Sequence, residues 1–252
     1  MTSDQRQARE KEFWDKAYSV EMYSTWREQS YESWKAYRQL QSVALDFLGS
    51  VGNKRLRLCG VGSEAVIFAR AGAIVYGFDI SETQIMAVEL LARRYGLKDA
   101  IKISPMPFER LDYPDSFFDL AYGHAILHHI DLKRGASELN RVLRPGGRGS
   151  FIEPLGMNPI LEFARRHLPY REKHRTADEK PLTYADLSIF TQAFARSQYQ
   201  GFSFLAMLRR RIITNKRVTQ RLERMDQIIL KIVPRLRRFC AEVWIGVEKI
   251  SA

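Results

Sequence analysis

A doubly wound α/β fold with a mostly parallel sheet is the architecture this sequence predicts, on three observations. Between residues 54 and 153, short apolar runs of strand length alternate with amphipathic segments of helix length, the pattern of a parallel sheet with crossover helices. A glycine turn, Leu58-Cys59-Gly60-Val61-Gly62-Ser63, follows the first apolar run and opens the first helical segment, so the backbone there can turn tightly and approach a ligand. An acid, Asp79, closes the second run, at about the spacing where a carboxylate meets a nucleotide ribose in doubly wound folds. A turn residue capping the next helix is the alternative reading of Asp79.

Along the chain, residues 9–48 predict a helical arm, because neither proline nor glycine interrupts them before Gly49. Trp14, Tyr18, Tyr23, Trp26, Tyr31, Trp34 and Tyr37 are too many rings for a solvated helix. The arm is therefore expected to cover the core, and some of its rings to roof a substrate pocket. Strands are expected at 54–58, 74–79, 100–104, 118–123 and 148–153, with helices at 63–71, 82–95 and 132–143, and four right-handed β-α-β connections are expected to join the strands. Ser81 before Glu82 starts the second of these helices, and Pro145-Gly146-Gly147 stops the third. The polar stretch 154–191 is too long for a simple connection; it predicts a lid with a helix at 159–167 and another from Tyr184. Apolar runs at 201–208 and 240–247 would close the sheet, the second as a strand. The chain thus reads as an N-terminal helical arm or cap over 1–50, a cofactor-binding core over 51–155, and a third segment over 156–252. That last segment holds the lid, a helical insertion and the closing strands of the same domain.

Composition excludes several classes. A 252-residue chain with 45% hydrophobic and 27% charged residues is neither disordered nor membrane-spanning in type. No apolar run approaches the ~18 residues of a spanning helix. The first residues, MTSDQRQAREKEF, lack a secretory core, so a cytoplasmic location is the default expectation. Cys59 and Cys240 offer no disulfide framework or metal-ligand spacing and read as small buried apolar residues. Among His124, His128, His129, His167 and His174 only one pair is adjacent, so no metal site is expected. A phosphate loop and a Gly-x-Ser-x-Gly nucleophile turn are likewise absent from the sequence.

Four ordered segments carry a family resemblance. Ala71-Gly72-Ala73-Ile74-Val75-Tyr76-Gly77-Phe78-Asp79-Ile80-Ser81 resembles the second-strand motif of class I, Rossmann-like S-adenosylmethionine-dependent methyltransferases of the small-molecule type. Leu111 to Leu120, Leu127-His128-His129 and Arg141-Val142-Leu143-Arg144-Pro145-Gly146-Gly147 are similar to that family's next signatures, in order. The resemblance covers residues 56–154, and it favours S-adenosylmethionine over a nicotinamide cofactor, which the Asp79 spacing alone does not exclude. It implies that Gly60 and Gly62 border the cofactor's methionine portion, that Asp79 binds the ribose hydroxyls and Ile80 packs on adenine, and that His124 sits beside the methionine end and the acceptor. Two departures stand out. An ungapped match puts Leu56 and Leu58 where similar proteins carry an acid and a third glycine, and a one-residue gap would put Arg57 at the acidic place. At the end of the third strand, where relatives often carry an acid for the adenine amine, stand Met106-Pro107-Phe108-Glu109; Phe108 is a candidate to stack on adenine and Glu109 to accept from it.

The implied reaction is methylation of oxygen, carbon or nitrogen on a small, apolar metabolite. Displacement from a sulfonium rests on positioning and desolvation, and needs a proton acceptor only when the nucleophile must lose a proton. His124 and His128 are the candidate bases, His128 having a structural alternative in which its ring bonds to backbone. Glu153 either orients a substrate hydroxyl or amine or caps the turn that follows it. A rival function is a methyltransferase-like binding or regulatory protein weakened in its first cofactor motif.

The formal charge of +11 is local. Between Met207 and Phe239 stand eleven basic residues against Glu223 and Asp226, nine of the eleven net charges. Val218, Leu222, Met225, Ile229, Ile232 and Leu236 recur at helical spacing, and Pro234 ends the helix. An accessory helix with a solvated basic face, an interfacial helix drawn peripherally to anionic lipid through 207–239, and recruitment of an acidic substrate are the open readings. Nucleic acid is not the expected partner, since no reader module accompanies the charge.

Overall fold

The computed structural model describes residues 3–17, 30–35, 38–167, 180–207 and 216–250. Seven strands form one sheet: β1 (Arg55–Cys59), β2 (Ile74–Asp79), β3 (Ile101–Pro105), β4 (Phe118–His124), β5 (Leu143–Pro154), β6 (Arg196–Phe202) and β7 (Glu242–Glu248). Their order is β3-β2-β1-β4-β5-β7-β6, parallel except that β7 runs antiparallel to both neighbours. The chain starts at β1 in the middle, steps outward to β3, then returns to build the other half from β4. The carboxyl ends of β1 and β4 thereby border the crevice where the winding reverses.

The faces of the sheet follow strand alternation. Leu56, Leu58, Tyr122, Ile152 and Trp244 point into one core with α3 (Gln39–Leu48), α4 (Glu64–Arg70) and α5 (Glu82–Arg94). Cys59, Ala121, Phe151, Val243 and Ile245 point into the other with α6 (Leu132–Val142) and α8 (Tyr184–Thr191). The Ser81 cap acts where expected, its hydroxyl accepting from Gln84 N; Thr183 and Asp186 add a reciprocal capping box on α8.

Four expectations need correction. The arm is not one helix over 9–48. It comprises α1 (Ser3–Ala17), α2 (Tyr31–Lys35) and α3, with Arg38 extended at φ −147°, ψ 149° between the last two. The guanidinium of Arg38 reaches Glu242 (2.6 Å), Ser203 (2.9 Å) and Glu223 (3.1 Å), contacts that local sequence does not reveal. Second, β5 is longer than 148–153: Pro145-Gly146-Gly147 lies inside it as an irregularity, with Phe118 opposite Leu143 but Leu120 opposite Arg148. Third, the edge strand is 196–202, not 201–208, because Arg196 to Tyr199 are exposed and polar enough to hide the strand pattern. Fourth, the connection from β3 to β4 carries no helix.

Trp34 is buried against Phe68 and Tyr122, so the arm does cover the core. Tyr18, Tyr23, Trp26 and Tyr37, the lid stretch 168–179 with His174, and Arg209, Arg210 and Arg211 lie outside the described residues. The expected helices at 159–167 and from Tyr184 are present as α7 (Pro159–His167) and α8. The basic segment forms α9 (Lys216–Ile232), which stops before Pro234.

Candidate active site

A cavity of about 470 Å³ opens at the carboxyl ends of β1, β2 and β4, within the range of small-ligand sites. Its floor is the turn leaving β1. Gly60 has φ +71°, a left-handed conformation that a side chain would strain, and Leu58, Val61 and Gly62 continue the lining. Asp79 at the end of β2 stands against this turn, its carboxylate accepting from Val61 N (3.1 Å) and Ser81 N (2.9 Å). Burial pushes its carboxyl up to about 6, against the pull of those backbone donors. A ligand diol donating to the carboxylate would favour the charged form. Ile80 lines the cavity beside it.

The loop after β3 and the first helix close the second wall. Phe108 lines the cavity while the Arg57 guanidinium lies 4.2 Å from its ring centroid. Glu109 also lines it, but already accepts from Arg6 (2.7 Å), Gln7 (3.2 Å) and Asp131 N (2.9 Å). Helix α1 covers this region: Asp15 accepts from the Ser81 hydroxyl at 2.8 Å, and Trp14 and Glu10 line the cavity. Trp14 donates to Glu10 at 2.9 Å and packs edge-on to His129. The expectation that an arm ring roofs the pocket therefore falls on Trp14. Glu10, more than 40 residues upstream of β1, carries no local pattern that marks it.

The third wall is the turn after β4. Ala125 has φ +56°, an uncommon conformation for a residue with a side chain, and it redirects the chain just after His124. The His124 side chain is 43% exposed and lines the cavity. His128 and Glu153 are placed differently from it. Glu153 is fully buried beneath the turn instead of facing the crevice; one oxygen accepts from Ile126 N and Leu127 N, both at 2.8 Å, and the other is 2.6 Å from His128 Nδ1. Burial alone would raise this carboxyl, yet the His128 ring and the two N–H groups hold it below the ordinary carboxylate value. The pair fixes the shape of 126–128; one edge of the His128 ring still borders the cavity.

The altered first motif takes a definite form. Leu58 lines the cavity, whereas Arg57 points to the opposite face of the sheet, buried between Phe78 (4.7 Å) and Phe108 (4.2 Å). Arg57 therefore does not line the pocket. Its Nη2 donates to Phe108 O at 3.3 Å, while Nε and Nη1 have no hydrogen-bond partner among the described residues. On the cavity side the carboxylate of Glu64 folds over Gly62, where a Cβ would collide with Oε2, and its Oε1 lies 4.0 Å from His124 Nδ1. No hydrogen bond engages Glu64 among the described residues. Its signal in the sequence was an acid two residues after the second glycine.

A cationic nucleoside such as S-adenosylmethionine fits this donor set. The glycine turn leaves room for backbone approach, Asp79 offers acceptors to a ribose, and Glu64 offers negative charge near the turn. Leu58 narrows the space that a third glycine would leave.

Known proteins share part of this sequence and its fold. A family model described as a methyltransferase domain matches residues 57–151. A sterol 24-C-methyltransferase of Gibberella zeae is 38% identical over 91 residues, which are 35% of this chain and 24% of the relative, so the match spans about a quarter of that protein. Among solved structures, the 4+2 cyclase SpnF superposes with a TM-score of 0.56 at 18% identity, covering 84% of this chain and 80% of that one. A geranyl diphosphate C-methyltransferase from Streptomyces coelicolor, solved with Mg2+, geranyl diphosphate and S-adenosylhomocysteine, superposes at 0.54 with 17% identity, covering 83% and 78%. At these identities the superpositions show the fold. Residues 57–151 of this chain thus match the methyltransferase domain family, and the sheet shares the class I, Rossmann-like methyltransferase fold of the superposed structures.

Proposed function

We propose that this protein transfers a methyl group from S-adenosylmethionine to oxygen, carbon or nitrogen of a small, apolar acceptor. The observation that carries the reading is one cavity with Asp79 and the glycine turn on one side and the open ring of His124 on the other. Bound S-adenosylmethionine supplies an activated methyl group. In this reading the chain does the rest: Asp79 holds the ribose, Ile80 and Phe108 flank the adenine, and Glu64 carries the charge facing the methionine end. Glu109, occupied by Arg6 and Gln7, ties α1 to the adenine side. His124 takes a proton from acceptors that must lose one, while His128 and Glu153 keep the turn beneath it rigid. The apolar walls at Trp14, Met106, Ile126 and Ile130 suit a lipophilic acceptor. We read residues 1–50 as the cap, 51–155 as the cofactor core and 156–252 as lid, basic helix and closing strands. The free, buried Cys59 and Cys240 suit a reducing cytoplasmic setting, with peripheral membrane contact through 207–239. Among the described residues no helix is long and apolar enough to cross a membrane.

Calorimetric titration with S-adenosylmethionine and S-adenosylhomocysteine tests the cofactor step, and transfer of labelled methyl to a panel of lipophilic alcohols, phenols and amines tests the reaction. No binding of either nucleoside would overturn the proposal. The second reading, a methyltransferase-like binding or regulatory protein weakened in its first cofactor motif, draws on Leu58 crowding the glycine turn; it predicts weak or no binding of either nucleoside and no label transferred to any acceptor.

A further inference from the structure

The sequence places an apolar stripe along the basic helix, and packing would normally bury it. Instead α9 is rolled so that its acids face inward. Asp226 is buried, accepting from Leu205 N (2.7 Å) and Ala206 N (3.1 Å); Glu223 pairs with Arg38 at 3.1 Å; Leu230 is 3% exposed. At about 100° per residue these three lie roughly a third of a turn round from the stripe. The stripe is only half covered: Leu222, Ile229 and Leu236 are half-buried, while Met225 is 49% and Ile232 73% exposed, and Ile228 (61%) and Val233 (44%) beside them widen the apolar face in solvent. Arg221, Arg224, Lys231, Arg235 and Arg238 stand exposed around it. Since Glu223 and Asp226 are the only acids between Met207 and Phe239, the charge this segment presents outward is positive. Beside its end, Asn158 donates to Phe239 O at 2.8 Å and anchors α7, which adds exposed Ile160 and Phe163.

We propose that the outer face of α9 docks on an anionic lipid bilayer, with Met225, Ile228 and Ile232 entering the headgroup boundary and Arg221, Arg224 and Lys231 meeting lipid phosphates. This deepens the proposed reading of an apolar acceptor met at a membrane, and says which side chains make the contact. Charge selects the occupant. A second copy would set like charges against each other, and a nucleic acid would leave the apolar residues between the bases in water; an anionic bilayer satisfies both the cations and the hydrocarbon.

The test is co-sedimentation of the full chain with vesicles of phosphatidylcholine alone or with about a quarter phosphatidylglycerol, at low and high salt. The wild-type chain is expected to bind the anionic vesicles at low salt and to be released by salt. Replacing Arg221, Arg224 and Lys231 by Gln is expected to weaken binding about fivefold per residue, about a hundredfold together. Ile228→Ser with Ile232→Ser is expected to weaken it about tenfold or more at low salt. Absence of wild-type binding to anionic vesicles overturns the proposal, as does binding that survives the triple substitution. A concentration-dependent dimer abolished by the serine variant also overturns it, assigning the face to a second copy. Thermal melts and S-adenosylhomocysteine titration of each variant show that it folds. Loss of nucleoside binding with vesicle binding intact would sink the methyltransferase reading and leave this one standing.

Discussion

Truncating Glu153 should destabilise the protein severely. The carboxylate is 1% exposed and satisfies three groups at once, Ile126 N and Leu127 N at 2.8 Å and His128 Nδ1 at 2.6 Å. Glu153→Ala leaves two buried N–H groups and an imidazole without their acceptor and opens a void. Breaking a buried charged network from one side costs about 3–5 kcal/mol, which for a domain of this size is a fall of about 10 °C or more in Tm. Glu153→Gln keeps an acceptor for the two N–H groups and should cost about 1–2 kcal/mol. The pH dependence has a definite sign: the folded carboxyl lies below its ordinary value, so its contribution is present above the unfolded carboxylate range and is lost as pH falls through the lowered folded value. Urea unfolding of the wild type, both Glu153 variants, His128→Ala and the Glu153→Ala/His128→Ala double variant gives the coupling directly. A cost below about 1 kcal/mol for Glu153→Ala, or strict additivity with His128→Ala, would refute the structural role and return Glu153 to the list of groups that act on substrate.

Three further outcomes follow from the site and its surroundings. Glu64→Gln should weaken S-adenosylhomocysteine about tenfold while leaving 5′-methylthioadenosine, which lacks the amino-acid end, unchanged; equal weakening of both by calorimetry would contradict the assignment. Because Asp79 in the folded protein is raised to about 6, the stability from its protonation is present below the unfolded value and lost as pH rises through about 6. Relative to Asp79→Asn, the ligand-free wild type should therefore lose up to about 3 kcal/mol in urea melts between pH ~4 and ~7.5, and parallel pH curves for the two proteins would reject this. Arg57→Met should stabilise the protein by about 1–3 kcal/mol, since it removes two unsatisfied donors from a fully buried site; destabilisation on chemical unfolding would mean the stacking on Phe78 and Phe108 outweighs that cost.

Much of the architecture is legible locally. The central strands are buried on both faces, so Leu56, Leu58, Val75, Leu120 and their neighbours form apolar runs that stand out against the helices between them. Asp79, Gly60 and Gly62 are equally visible, because a tight turn and an acid at a strand end leave short-range marks. The exceptions sit where contacts are distant. The exposed polar edge strand at 196–202 has no apolar alternation to betray it, and the break at Arg38 depends on Glu223 and Glu242, about two hundred residues away.

The sequence by itself determined the α/β class, the glycine turn with its acid, and the location of the positive charge, all of them consequences of side-chain periodicity and spacing. Tertiary structure alone decided what those residues face. It turned Arg57 away from the cavity, buried Glu153 against His128, brought Glu10 and Trp14 over the pocket and Glu64 over Gly62, and rolled α9 so that its acids went inward. Orientation about a strand or helix axis is set by the partners that long-range packing supplies, and spacing along a chain does not contain them.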